Sequence, residues 1–275
     1  MGKTRKNRTG IIIYHCISKN LGDGFNPLMF NHFIGNKHPI YKDVAKLPVF
    51  SEKPYIIGIG SIIKWNKEVD ASNQIIVGSG FISAKNIPYA HQPLKIISVR
   101  GPKTRAKYLK EGFDCPAIYG DLGLLTRFVI PPPIACNKKY TFGFIPHYID
   151  KTSPLMLKAA ENPDWTIIDI NQAYTPKRFV KQIHECQYIL SSSLHGIIVA
   201  DSYGIPAYHI ELSDKVFGGD WKFKDYYESI NRSYGTIDIN SMDEGKIKKQ
   251  LKPYKIDFDF SGYYQYIKEE LNKLA

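Results

Sequence analysis

The sequence predicts an α/β protein built of two parallel-sheet domains that face each other across a cleft. Three observations carry this. Short apolar runs alternate with helical patterns along the whole chain, the order that gives parallel βαβ units. The apolar runs are continuous and do not alternate with polar residues, as a sheet covered on both faces requires. A proline run, Pro131-Pro132-Pro133, interrupts the series near the middle, where neither a helix nor a central strand can continue.

The first half predicts strands at 11–14, 55–58, 74–77, 95–99 and 117–119. A helix over 102–112 starts on a proline and stops at a glycine, following the capping asymmetry. The second half predicts strands at 140–145, 166–170, 188–191, 207–210 and 236–239, with helices at 154–161, 176–185, 194–203 and 223–229 between them. A closing amphipathic helix, 263–274, has no strand after it. The expected units are 1–130, 138–258 and a C-terminal helix 261–275 that packs back on the first unit.

Of the 275 residues, 43% are hydrophobic and 13% aromatic, which excludes a disordered or low-complexity chain. The 37 Lys and Arg against 26 Asp and Glu give a formal net charge of +11, which suits an anionic partner. Cys16, Cys115, Cys136 and Cys186 form no Cys-x-x-Cys pair and read as reduced thiols. No stretch reaches 18 consecutive apolar residues, so the expectation is a cytoplasmic protein without a membrane span. Basic residues are dispersed except at 3–8 and 246–255, and no aromatic–basic motif appears, so nucleic acid is not the expected partner.

Ligands of such sheets bind beyond the carboxyl ends of the strands, so the chemistry is sought in the loops that follow them. The most informative is Ser191-Ser192-Ser193-Leu194-His195-Gly196, where serines open a helix whose free N–H groups favour an anion. His195 stands in its first turn, against the dipole rule, either as a satisfied buried histidine or as an acid–base beside a bound anion. Arg100 ends a strand, and its planar fork matches a carboxylate or phosphate; Lys103 and Arg105 follow in the next helical turn, as further anion contacts or as a solvated face. His147 and Tyr148 follow another strand, either touching a ligand or packing a loop. In the polar run Asn20-Leu21-Gly22-Asp23-Gly24-Phe25-Asn26-Pro27, turn chemistry explains the residue types, and Asp23 is also placed to act as a base or to hold a sugar hydroxyl. Gly58-Ile59-Gly60-Ser61 and Gly78-Ser79-Gly80-Phe81 follow strands without completing a dinucleotide fingerprint, since Ile63 and Ser83 stand where its last glycine would be. The eight histidines show no metal-ligand spacing, and neither a metal nor a cofactor is expected.

These segments, together with Val99-Arg100-Gly101-Pro102-Lys103-Thr104-Arg105, Tyr119-Gly120-Asp121, Ile145-Pro146-His147-Tyr148 and Tyr203-Gly204-Ile205-Pro206, occur in order over most of the chain. As an ordered set they resemble the polysaccharide pyruvyl transferase family, in its short bacterial branch. The resemblance implies two Rossmann-like domains arranged as in GT-B glycosyltransferases. It also implies transfer of pyruvate from phosphoenolpyruvate to two hydroxyls of a sugar in a glycan precursor, giving a cyclic ketal. The expected acceptor is a sugar on a lipid-diphosphate-linked precursor, with the enzyme at the inner face of the cytoplasmic membrane. His195, Arg100 and Asp23 become the expected catalytic residues. Arg100, Arg105, His147, Ser192, Ser193, Leu194, His195 and Gly196 become expected donor contacts, and Asn20, Asp23, Gly60, Ser61, Gly80 and Phe81 acceptor contacts. The chain departs from the pattern at Ser193, where several members carry a donor-contacting arginine. A nucleotide-sugar glycosyltransferase of the same architecture is the alternative, with Glu211 as the ribose ligand.

Overall fold

A computed structural model of the chain describes residues 10–35, 38–65 and 68–274. The first half forms a five-stranded sheet of β1 (Ile12–His15), β2 (Ile40–Asp43), β3 (Tyr55–Ile57), β4 (Gln74–Ser79) and β5 (Lys95–Val99), in the order β2-β1-β3-β4-β5. The second forms a four-stranded sheet of β6 (Tyr140–Ile145), β7 (Trp165–Ile167), β8 (Cys186–Ser191) and β9 (Ala207–His209), in the order β7-β6-β8-β9. Every pairing in both sheets is parallel. All strand carboxyl ends of a sheet therefore open on one side, and β3 and β4 are buried along their whole length.

Three expectations are corrected. The segment 20–27 is no loop but the start of α1 (Leu21–Ile34). Asn20 caps the helix by accepting from the Gly22 N–H at 3.0 Å. Pro27 inside the helix removes the bond that the Asp23 carbonyl would receive, and the Asn26 side chain replaces it by donating to that carbonyl at 3.3 Å. The same side chain pairs with both backbone groups of Ile59, at 2.8 and 3.0 Å, and so fastens the helix to the loop after β3. Segments 117–119 and 236–239 are single bridges, Tyr119 to Val99 and Thr236 to His209, because their neighbours leave the sheet at once. The edge strand β2 has only a half-buried polar pattern, so its sequence carries no strand signal.

The helices between strands include α2 (Pro102–Lys110), α3 (Thr126–Val129), α4 (Pro154–Ala159), α5 (Pro176–His184) and α6 (Leu194–Ser202). After β9 come α7 (Trp221–Ser229), α8 (Glu244–Gln250) and α9 (Phe260–Lys273). One apolar cluster runs from Ile13, Val77 and Ile97 through Leu122, Leu124 and Ile198 to Ile145 and Ile189, so residues of both sheets share it. Where the two sheets meet, the loops after β1 and β7 join backbone to backbone, Leu21 N–H to the Ile170 carbonyl at 2.8 Å and Ala173 N–H to the Lys19 carbonyl at 3.1 Å.

The last helix, α9, returns to the first sheet. Tyr263 donates to the Gly120 carbonyl at 2.5 Å and meets the Ser98 hydroxyl, Tyr266 donates to the Ile97 carbonyl, and Glu270 pairs with Lys95. Its fully buried Ile267 and Leu271 each contribute about 1.5–3 kcal/mol by leaving water. The basic cluster expected at 3–8 lies outside the described residues.

Candidate active site

Carboxyl-end loops of both sheets converge on a cavity of about 410 Å³. The first half contributes Cys16, Ser18, Asn20 and Asp23 after β1, and Gly60, Ser61 and Trp65 after β3. The second contributes His147 and Tyr148 after β6, Asn171 after β7, Ser193, Leu194 and His195 after β8, and Lys222 from the first turn of α7.

His195 follows Leu194 in the first turn of α6, whose N-cap, Ser193, makes no side-chain cap bond. Its Nε2 is buried 3.7 Å from Oδ2 of Asp121, and neither atom has a hydrogen-bond partner. Asp121 is itself buried, and its other oxygen accepts from the Gly123 N–H at 2.8 Å. The opposite edge of the imidazole, with Nδ1, lies against Gly22, where any Cβ would strike the ring. Glycine at this second position of α1 therefore lets the helix backbone close on the Nδ1 edge of the ring, while the Asp121 carboxylate faces Nε2.

Asp23, one residue further along α1, accepts from the Ser18 hydroxyl at 2.5 Å. Burial pushes its carboxyl above the usual carboxylate range, against the pull of Ser18, His195 and His15. Burial likewise pushes the neighbouring Cys16 thiol up to about 12. His147 is driven down to about 4 by burial and by the Lys222 charge, so its imidazole is neutral. Its backbone N–H donates to the Ser192 hydroxyl at 2.8 Å.

Arg100 does not reach this cavity. Its side chain is wholly buried; Nε donates to Asp225 at 3.0 Å, one terminal nitrogen to the Ser61 hydroxyl at 2.6 Å and the other to the Phe81 carbonyl at 2.7 Å. Asp225 also accepts from the Thr104 N–H at 2.9 Å and the Thr104 hydroxyl at 2.7 Å. The fork expected to grip a ligand is thus taken by a carboxylate of α7, and it braces α2, α7 and Ser61 from beneath the cavity.

Several other expected contacts also lie off the cavity. Arg105 turns away and donates to the Cys115 carbonyl at 2.9 Å. Phe81 is buried against Tyr108, and Gly80 gives room to the Arg100 guanidinium. Ser192 and Gly196 are buried, the first holding His147, the second packed on Ser191 and Ile145. Asn20, Asp23, Gly60, Ser61, His147, Ser193, Leu194 and His195 do line it.

Lys222 was not anticipated. A single lysine in a helix start gives no signal of its own, because only the fold buries it, to 8% exposure. Among the described residues no three His, Cys, Asp or Glu side chains stand together as metal ligands.

The sequence profile of polysaccharide pyruvyl transferases matches residues 20–214, which contain every cavity residue named above except Cys16, Ser18 and Lys222. The chain belongs to the polysaccharide pyruvyl transferase family. Membership in this family makes the protein a transferase. Among its relatives, the uncharacterized protein L143 of Acanthamoeba polyphaga mimivirus is 31% identical over 225 residues, covering 80% of this chain and 74% of that one. The succinoglycan biosynthesis protein ExoV of Rhizobium meliloti (strain 1021) is 22% identical over 237 residues, covering 83% and 68%. A crystal structure of an uncharacterized protein from Klebsiella pneumoniae subsp. pneumoniae NTUH-K2044 superposes with a TM-score of 0.45 at 12% identity, covering 82% of this chain and 93% of that one. In this pyruvyl transferase, His195 and Asp23 sit on opposite halves of the chain and meet only at the cavity.

Proposed function

We propose that the protein transfers pyruvate from phosphoenolpyruvate to two hydroxyls of a sugar in a glycan precursor, forming a cyclic ketal. The observation that carries this reading is His195 on the cavity wall, backed by Asp121 and accompanied by Asp23. Family membership and the ExoV relative support the transfer of a pyruvyl group in polysaccharide synthesis. The two halves, 1–130 and 138–258, act in this reading as Rossmann-like acceptor and donor units of a GT-B-like pair.

His195 gives a proton to the methylene carbon of the enol, and the adjacent carbon becomes electrophilic. One sugar hydroxyl attacks that carbon while Asp23 takes its proton. The carbon–oxygen bond to phosphate breaks, and Asp23 returns the proton to the leaving phosphate. The second hydroxyl closes the ketal, and its proton restores His195. One proton is given and one regained at each residue, and inorganic phosphate is the co-product. Asp121 faces the imidazole throughout, 3.7 Å from its Nε2.

The donor reading is tested by incubating the protein with phosphoenolpyruvate and candidate glycans and following phosphate release and glycan mass. A mass gain of about 70 Da, one three-carbon unit joined through two sugar oxygens by acid-catalysed transfer, is expected. Turnover of a nucleotide sugar instead would support the glycosyltransferase reading. Glu211, the residue that reading needs, borders a separate cavity of about 280 Å³ with His209 and Phe223.

We also propose reversible contact with an anionic membrane face. Lys246, Lys248, Lys249, Lys252 and Lys255 are exposed along and after α8, and each contributes about 1 kcal/mol near an anionic leaflet. No described helix is long and apolar enough to cross a membrane. Co-sedimentation with vesicles is expected to need anionic lipid and to weaken with salt; binding indifferent to both rules the contact out.

A further inference from the structure

Lys222 carries a buried positive charge that faces the Phe223 ring, 5.6 Å from its centroid, and no carboxylate among the described residues pairs with it. Its nearest acceptor is the Phe217 carbonyl, at a long 3.5 Å. Among the described residues no carboxylate lies within the 4.0 Å of an ion pair. An ammonium has three donors to satisfy, and enclosing one without a partner costs several kcal/mol.

The charged and titratable groups around it do not help. Arg100, at the end of β5, is a second cation. His147, after β6, and His209, on β9, feel the Lys222 charge and are both driven to neutrality, to about 4 and about 3. The carboxylates around these groups are engaged elsewhere: Asp225, one turn further along α7, by Arg100 and Thr104, Asp150, which faces His147, by Ser213 and Ser192, and Asp220, which faces His209, by Lys224. Burial and the Arg100 charge together push the Lys222 ammonium down to about 8.

Lys222 also borders the cavity, together with Ser193 and His195 at the N-terminus of the nine-residue helix α6. Free N–H groups at a helix start, an uncommitted serine cap and an unpaired buried cation together make a place for a compact anion. The Arg100–Asp225 pair fixes the face of α7 that presents it.

We infer that Lys222 holds the phosphate group of the donor against the first turn of α6, with the Arg100–Asp225 pair as its positioning brace. This rests on the donor proposed above. A lysine suits phosphate as a point charge, whereas the planar fork that would match a carboxylate is engaged elsewhere.

The test replaces the charge and keeps the stem. In Lys222→Met, the affinity for phosphoenolpyruvate, measured by calorimetry, is expected to fall by about tenfold or more, the scale of truncating one partner of a buried charge contact. The thermal midpoint of the unliganded variant is expected to rise, because an unpaired buried charge has been removed. Inorganic phosphate is the second probe and is expected to stabilise the wild type and not the variant. Equal affinity for phosphoenolpyruvate in variant and wild type overturns the inference while leaving the donor reading intact. So does a variant that is less stable or unfolded, since the ammonium would then be structural. A wild type stabilised by phosphate, through Lys222, but indifferent to phosphoenolpyruvate keeps the anion site and overturns the donor reading instead.

Discussion

The Asp121 carboxylate lies 3.7 Å from Nε2 of His195, inside the protein, and neither atom has another polar partner. The pair joins the end of the first sheet to the start of α6. Replacing His195 by Ala is expected to lower kcat by ~10²–10⁴ while phosphoenolpyruvate binding stays within a few-fold, the signature of a lost general acid. Asp121→Asn is expected to lose part of that same factor in kcat with little change in KM. Single-turnover phosphate release measures both, and wild-type turnover in folded His195→Ala removes the acid assignment.

Gly22 offers a narrower probe of the same ring. A methyl group there meets the His195 imidazole, yet alanine improves a helix by roughly 1 kcal/mol over glycine. The clash falls on a largely buried ring, and overpacking of that kind costs about 1–3 kcal/mol, so Gly22→Ala is expected to lower the unfolding midpoint in urea and to drop kcat by about 10²-fold, the cost of misplacing a reacting group by an ångström. Undiminished kcat would mean that the position of this ring does not limit the reaction.

Arg100 separates a brace from a ligand. Arg100→Met leaves Asp225 buried without its cation, and breaking such a pair costs ~3–5 kcal/mol. Chemical denaturation is expected to show that loss in the unliganded protein. An unchanged stability together with lost donor binding would return Arg100 to direct contact with the donor.

The Lys222 ammonium sets a pH dependence. Its value in the folded protein, about 8, lies below that of an ordinary lysine, so between the two the unfolded chain holds more protons. Stability is then expected to rise with pH through that window. Donor affinity moves the other way, falling as pH rises above about 8, with a limiting slope of about tenfold per unit. His147 and His209 are already neutral there and add nothing. Calorimetry from neutral to alkaline pH checks this, and a flat profile in the wild type refutes it.

Much of this molecule was legible along the chain because local rules decide it. Unbroken apolar runs such as those of β4 and β8 can only be strands covered on both faces. Parallel strands put their carboxyl ends together, which is why Asp23, Ser61, His147, Ser193 and His195 could be named as neighbours of one cavity from their loops alone. Where local rules conflicted, the reading failed. The glycines and proline of 20–27 read as a turn, and the helix α1 exists because Asn26, Ile59 and the loop after β7 hold it.

What the tertiary structure alone decided is which charges are free. Arg100 and Lys222 look alike in sequence as isolated cations beside a helix start. The fold brings Asp225 to Arg100 across 125 positions and gives Lys222 no carboxylate among the described residues, only the Phe217 carbonyl and the Phe223 ring. It also sets Asp121 behind His195. Burial and counter-charge depend on distant segments meeting, so no window of sequence contains them. The energy of a charge inside a protein is set by those meetings, and the chemistry of this cavity follows from them.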